Sequence, residues 1–178
     1  VTPQTLAAAI GVNVARTQEW ADPITAAMAL WAIDTDARQA AFLAQIGHES
    51  GRLLYVRELW GPTPAQIRYE GRADLGNTQP GDGKRYLGRG LIQITGRTNY
   101  KAVGDALGVD FIEQPQLLEQ PANAALSAAW FWNTHGCNEL ADVGDFRRIT
   151  LRINGGMNGY VDRLALLALA KDALTDRG

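Results

Sequence analysis

Between Trp60 and Gly90 the chain carries Pro62, Pro64, Gly71, Gly76, Pro80, Gly81, Gly83, Gly88 and Gly90, so no long helix can cross this stretch. Each proline lacks a backbone donor, and each glycine inside a helix costs about 1 kcal/mol relative to alanine. On either side the pattern is helical. Thr2-Pro3 followed by Leu6, Ala9 and Ile10 predicts a short first helix with proline near its start and a stop at Gly11. Asp22-Pro23 reads as an N-cap and first helical residue, with Ile24, Ala27, Met28 and Trp31 at helical spacing. Thr35 or Asp36 caps a third helix, striped by Phe42, Leu43 and Ile46 and ending near Gly51. Helical periodicity returns over 100–107, 122–132, 146–153 and 161–174. Ile92 and Ile94 alternate with Gln93 and Thr95, which predicts a short extended piece with one polar face. The expectation is a mainly α fold, with helices flanking a glycine-rich segment that lines a cleft.

At 178 residues the chain fits one domain, 1–178, and can bury a substantial core. An apolar fraction of 46% with 20% charged residues excludes global disorder. The net charge of −2 gives no reason to expect nucleic acid as a partner. No run approaches the ~20 apolar residues of a membrane span, so no stable membrane association is expected. The start lacks the basic and apolar regions of a signal peptide, and Val1 is not an initiator methionine. Cys137 is the only cysteine, so no internal disulfide can form, which fits synthesis in a reducing cytoplasm.

Glu49 follows Phe42 by seven residues and Ile46 by three, offsets that place all three on one helix face. An acid at the end of an apolar stripe is partly withdrawn from water, which favours its protonated form. Such a carboxylic acid can donate a proton to a leaving oxygen. The plainer reading is a helix-terminal glutamate reaching solvent, although an anion at a helix C-terminus is electrostatically unfavourable. Glu58 lies nine residues on, beyond the Gly51 break, and either pairs with Arg57 or works with Glu49 across a groove. Gly83 to Thr95 mixes glycines with Tyr86, Arg89, Gln93 and Thr95, the side chains and open backbone by which sugars are held. It contains no phosphate-loop pattern. Asn154-Gly155-Gly156 reads as a helix C-cap or as an amide facing the groove. Trp130 and Trp132, in an alanine-rich helix, read as core. His48 and His135 are the only histidines, and neither His-Glu-x-x-His nor Cys-x-x-Cys occurs, so neither a metal nor a cofactor is expected. Ser50 and Ser127 lack a nucleophile elbow, and Cys137 near His135 is no evidence of a catalytic pair.

Three ordered motifs carry a family resemblance: Ala44-Gln45-Ile46-Gly47-His48-Glu49-Ser50-Gly51, Tyr86-Leu87-Gly88-Arg89-Gly90-Leu91-Ile92-Gln93-Ile94-Thr95, and Ile153-Asn154-Gly155-Gly156. Together they resemble glycoside hydrolase family 19, most closely its bacteriophage endolysin branch. The resemblance implies a mainly helical, lysozyme-like bilobal fold with a central substrate groove and an inverting hydrolysis. Glu49 then matches the general acid, Glu58 the base that activates water, and Thr95 a residue that helps hold that water. Gln93, Asn99 and Asn154 match substrate-binding amides, His48, Tyr86 and Arg163 fall among the substrate-binding residues, and Arg163 resembles a basic residue near the acid. His48 is expected to support the acid site. The disulfides and longer loops of the plant chitinases in this family are missing.

The resemblance further implies a monomeric enzyme acting on the peptidoglycan glycan strand, with no separate wall-binding domain. It is expected to be made in the host cytoplasm and to reach the periplasmic wall after the membrane is permeabilised. A chitinase, a non-catalytic wall-binding module and a lytic transglycosylase using Glu49 alone are the other readings the residues leave open.

Overall fold

The structure, a computed structural model, describes residues 1–176. Its helices are α1 (Pro3–Ile10), α2 (Val14–Thr17), α3 (Ala21–Leu30), α4 (Asp36–Glu49), α5 (Pro64–Ile67), α6 (Asp82–Arg85), α7 (Arg97–Leu107), α8 (Pro121–Thr134), α9 (Cys137–Asp142), α10 (Phe146–Asn154) and α11 (Tyr160–Thr175). Short 3-10 turns occupy Ala73–Leu75 and Pro115–Glu119. Two isolated bridges, Arg57 to Arg89 and Arg89 to Ile94, are the β pairing among the described residues.

Local chemistry sets several helix ends. Thr2 Oγ1 accepts from Thr5 N at 3.0 Å, and Gly11 closes α1 in the left-handed conformation. Thr35, rather than Asp36, caps α4 by accepting from Arg38 N at 3.2 Å. The expected start of α3 at Asp22-Pro23 is corrected: the helix begins at Ala21. Trp20 and Ala21 are buried, and packing extends the helix backwards, while Pro23 sits in the first turn where its missing donor is not needed. Trp31 lies past the end of that helix instead of on its stripe.

Helix α4 is the central strut. It packs against α11, α1 and α9, with Phe42, Leu43 and Ile46 fully buried. A Cβ on Gly47 would lie 3.2 Å from Ile10 Cγ2 and 3.5 Å from Leu166 Cδ1, so this glycine lets α1 and α11 close on α4 beside Glu49. Trp132 is buried as expected, edge-on to Phe42 at 5.4 Å, its indole donating to Asn138 at 2.8 Å.

Residues 60–90 are held by polar clamps in place of long helices. Asp82 accepts two bonds from the Arg97 guanidinium, at 2.8 Å each, and Asn77 ties Arg97 N to the Tyr69 carbonyl. One contiguous apolar cluster takes in Leu91, Ile92, Ile94 and Tyr100 along with α1, α4 and α11. The extended piece expected at Ile92 to Thr95 is instead a tight turn, with Gln93 at φ 62° and both isoleucines buried. No helix among the described residues is long and apolar enough to cross a membrane.

Candidate active site

Glu49 ends α4, and its side chain is 17% exposed. Its Oε1 accepts from Arg163 Nη2 at 2.6 Å. Arg163 is itself buried on α11, donating through Nη1 to Gln45 Oε1 at 2.5 Å and through Nε to the Asn158 carbonyl at 3.0 Å. Gln45, one turn before Glu49, completes the clamp by donating to Thr150 on α10 at 2.9 Å. The guanidinium thus supplies the positive partner that an anion at a helix C-terminus lacks. The apolar stripe behind Glu49 is present as expected, and the carboxyl group at its end is ion-paired with Arg163.

One expectation for this cluster is corrected. Arg163, expected among the substrate-binding residues, is 1% exposed and spends its donors inside the protein, so it positions Glu49. His48 turns its ring to Asp162, Nδ1 to Oδ2 at 2.7 Å, while Arg52 holds the other oxygen at 2.7 Å. Burial works to raise the Asp162 carboxyl, but the bonds from His48 and Arg52 outweigh it and hold the group below its usual range. Asn154, at the end of α10, accepts from Asn158 N at 3.2 Å. It thereby braces the loop whose Asn158 carbonyl receives Arg163.

Glu58 occupies a different setting. Its Oε1 accepts from Gly88 N at 2.8 Å, its Oε2 from the Tyr69 hydroxyl at 3.3 Å, and its own N–H donates to the Gly88 carbonyl at 2.9 Å. The expected alternative, a pair with Arg57, is not formed; Arg57 leans 3.9 Å from Glu119. Burial, then the charge and hydrogen bond of Glu58, push the Tyr69 hydroxyl upward, which keeps it a donor.

A Cβ on Gly88 would lie 2.7 Å from Gln93 Oε1 and 3.3 Å from Thr95 Oγ1, so the bare backbone that bonds Glu58 leaves room for both side chains beside it. Gln93 Nε2 donates to the Gly90 carbonyl at 3.1 Å, and Thr95 Oγ1 to the Gln93 carbonyl at 3.0 Å. Exposed Asn99 fixes the Thr95 carbonyl at 2.8 Å. Tyr86 is corrected: it is 1% exposed, donates to the Ile112 carbonyl at 2.9 Å and packs edge-on to Tyr100, so it is core and does not face a substrate.

The two carboxylates are joined by a strained turn that sequence reading did not register. Gly51, Arg52 and Leu53 are consecutively left-handed, at φ 57°, 60° and 64°. Buried Ser50 locks them, donating to the Ile46 carbonyl at 2.6 Å and accepting from Leu53 N at 2.9 Å. The Arg57 to Arg89 bridge and the Gly90 to Val56 bond then fix the register of Glu58. Gln45, Ser50, Asp162 and Tyr69 were missed as site-building residues. Only Gln45 had a signal, its spacing of four from Glu49.

Cys137 is fully buried, and burial pushes its thiol up to about 12, so it does not act as a nucleophile.

The Chitinase class I family model, that of glycoside hydrolase family 19, matches residues 24–143. A glycosyl hydrolase family 19 domain-containing protein of Haemophilus influenzae is 36% identical over 156 residues, covering 72% of this chain and 76% of that protein. An endochitinase of Arabidopsis thaliana is 40% identical over 118 residues, and there the match spans 66% of this chain but only 39% of the plant protein. Among solved structures, chitinase C of Streptomyces griseus superposes with a TM-score of 0.77 at 26% identity, over 98% of this chain and 76% of that one. A second bacterial family 19 chitinase gives 0.77 at 27% identity, over 98% and 94%.

Proposed function

The chain belongs to glycoside hydrolase family 19, and from that premise we propose that it hydrolyses the β-1,4-linked glycan of peptidoglycan with Glu49 as acid and Glu58 as base. The observation that carries this reading is the contrast between the two carboxyl groups. Arg163 occupies Oε1 of Glu49, and no group among the described residues bonds Oε2, which leaves that oxygen for the glycosidic bond. Glu58 is held by two neutral donors and makes no ion pair among the described residues, so its carboxylate stays available to a water molecule. Thr95, beside the same glycine, offers that water a second acceptor. In a single displacement Glu49 protonates the leaving oxygen while the water, giving its proton to Glu58, attacks the anomeric carbon from the opposite face. Gln93 and Asn154 are the amides we assign to the sugar.

In this reading the enzyme is an endolysin, made in the host cytoplasm and acting as a monomer on the wall once the membrane is opened. The lone cysteine supports that, because the fold needs no oxidising compartment. Chitin is the second reading, favoured because the Arabidopsis and Streptomyces relatives are named as chitinases.

Glu49→Gln should lose at least 100-fold in glycan cleavage, as expected for removal of a general acid at about 10²–10⁴-fold, while its circular dichroism stays native. Reducing ends released from purified peptidoglycan and from chitin oligomers give the measurement and the substrate together. Full cleavage by the variant would sink the assignment. Mass spectrometry of the products separates hydrolysis from transglycosylation, which would leave a 1,6-anhydro end.

A further inference from the structure

Beside Glu58 lies an open cavity of about 840 Å³ whose lining is unusual for a chain of net charge −2: Arg57, Lys84, Arg85 and Arg89 face it with Glu58 as the one carboxylate. The other acids nearby are already committed. Glu119 takes Arg89 at 2.9 Å and reaches toward Arg57 at 3.9 Å. Asp82 is saturated by Arg97, which holds its carboxyl below the usual range. Glu70 accepts the backbone N–H groups of Gly81 and Gly83. Among the described residues neither Lys84 nor Arg85, the two cations on α6, forms an ion pair, although the Arg85 charge also helps hold the Asp82 carboxyl down. Among the described residues Arg85 donates to the Tyr86 hydroxyl and to the carbonyls of Ile112 and Glu113, and exposed Lys84 has no hydrogen-bond or ion-pair partner. Across the cavity, exposed Leu59 and partly buried Trp60 form an apolar wall, with the Trp60 ring backed by Tyr69 at 6.4 Å.

We infer that this cavity is an anion-recognising subsite, in which Lys84 and Arg85 take a carboxylate borne by the glycan while Leu59 and Trp60 cover its apolar side. The inference rests on the reading of this chain as a wall hydrolase and sharpens its substrate class. A neutral polymer of N-acetylglucosamine gives these two cations nothing to bind, whereas a muramyl unit brings a carboxylate on its lactyl group or on the peptide attached to it. That carboxylate has two sources. In intact strands the lactyl group is tied up as an amide, and the free carboxylates belong to the peptide stem. In strands stripped by an amidase the lactyl carboxylate itself is free. A charge-assisted bond from an exposed lysine is screened by salt, so the preference should weaken as ionic strength rises.

The test compares soluble glycan strands in three forms: with peptide stems, stripped by an amidase, and stripped then amidated to remove the charge. For each enzyme the readout is the ratio of kcat/KM on a charged strand to that on the amidated strand. The wild type should favour one charged form about tenfold or more, and that form identifies the source. Lys84→Glu should bring the ratio to about one, with Arg85→Gln shifting it in the same direction. An unchanged ratio in Lys84→Glu, or a wild-type ratio of one on both charged forms, overturns the subsite. Should the wild type cleave none of the strands, the hydrolase reading fails, and pelleting of Glu49→Gln with native and amidated walls still decides the cavity's role. Loss of pelleting on adding Lys84→Glu, seen on native walls alone, upholds the subsite; equal pelleting with and without it overturns the subsite.

Discussion

Glu49 and Glu58 are the same residue type placed in opposite company, one clasped by a buried guanidinium and the other by an amide and a phenol. Sequence reading reached Glu49 through helical spacing, because spacing is a local property. It reached Arg163 only through family likeness, since nothing in the sequence connects α11 to the end of α4. Its expected contact with substrate gave way because a 1% exposed side chain with bonds to Gln45, Glu49 and Asn158 has no face left for a ligand. Tyr86 failed for the same reason: a tyrosine in a glycine-rich motif can serve a ligand or a core, and only its three-dimensional neighbours decide. Arg163→Met should destabilise the fold by about 3–5 kcal/mol, the cost of leaving a partly buried carboxylate and the buried Gln45 amide unpaired. It should also lower kcat more than it raises KM, because it acts on the acid and not on the sugar. Urea unfolding and steady-state kinetics test the two halves separately.

At the scale of elements, α1, α4, α7, α8, α10 and α11 were legible within a few residues, since caps and a 3.6-residue period mark them. Helices α2 and α9 were missed because four and six residues are too few to show a period. The turn over residues 51–53 was invisible for a different reason: Arg52 and Leu53 have no intrinsic taste for left-handed backbone and are forced there by Ser50 and Asp162. Ser50→Ala removes the hydroxyl that bridges Ile46 and Leu53, and should cost about 1–3 kcal/mol through the unsatisfied groups left behind. Because the turn sets Glu58 relative to Glu49, activity should fall further than stability alone explains, as rates compared well below the melting temperature would show. The clamp between Asp82 and Arg97 makes a second prediction at this scale. The guanidinium hydrogen bonds hold the Asp82 carboxyl below its usual value of 3.8, so the folded state binds this proton less readily than the unfolded chain. Its stabilisation is full above that pH and is lost as pH falls through the lower folded value. Melting temperatures between pH 6 and 2 should drop more steeply in the wild type than in Asp82→Asn. The variant should already be less stable at pH 6.

For the molecule as a whole, the glycine- and proline-rich centre did what its composition required: it excluded long helices and left a polar-clamped segment against a helical body. The mainly helical class was legible because it follows from that contrast, and the lysozyme-like likeness because three ordered motifs carry the family resemblance that implies it. The cavity beside Glu58 was not, because Arg57, Lys84, Arg85 and Arg89 look like ordinary surface charges until the fold gathers them. The account rests on two carboxyl groups acting from opposite faces of one sugar, and the stereochemistry of the fresh product reports on that directly. Proton NMR recorded during the first minutes of hydrolysis should show the α-anomer appearing before mutarotation, from a β-linked substrate. Initial appearance of the β-anomer would contradict the single displacement and the role given to Glu58.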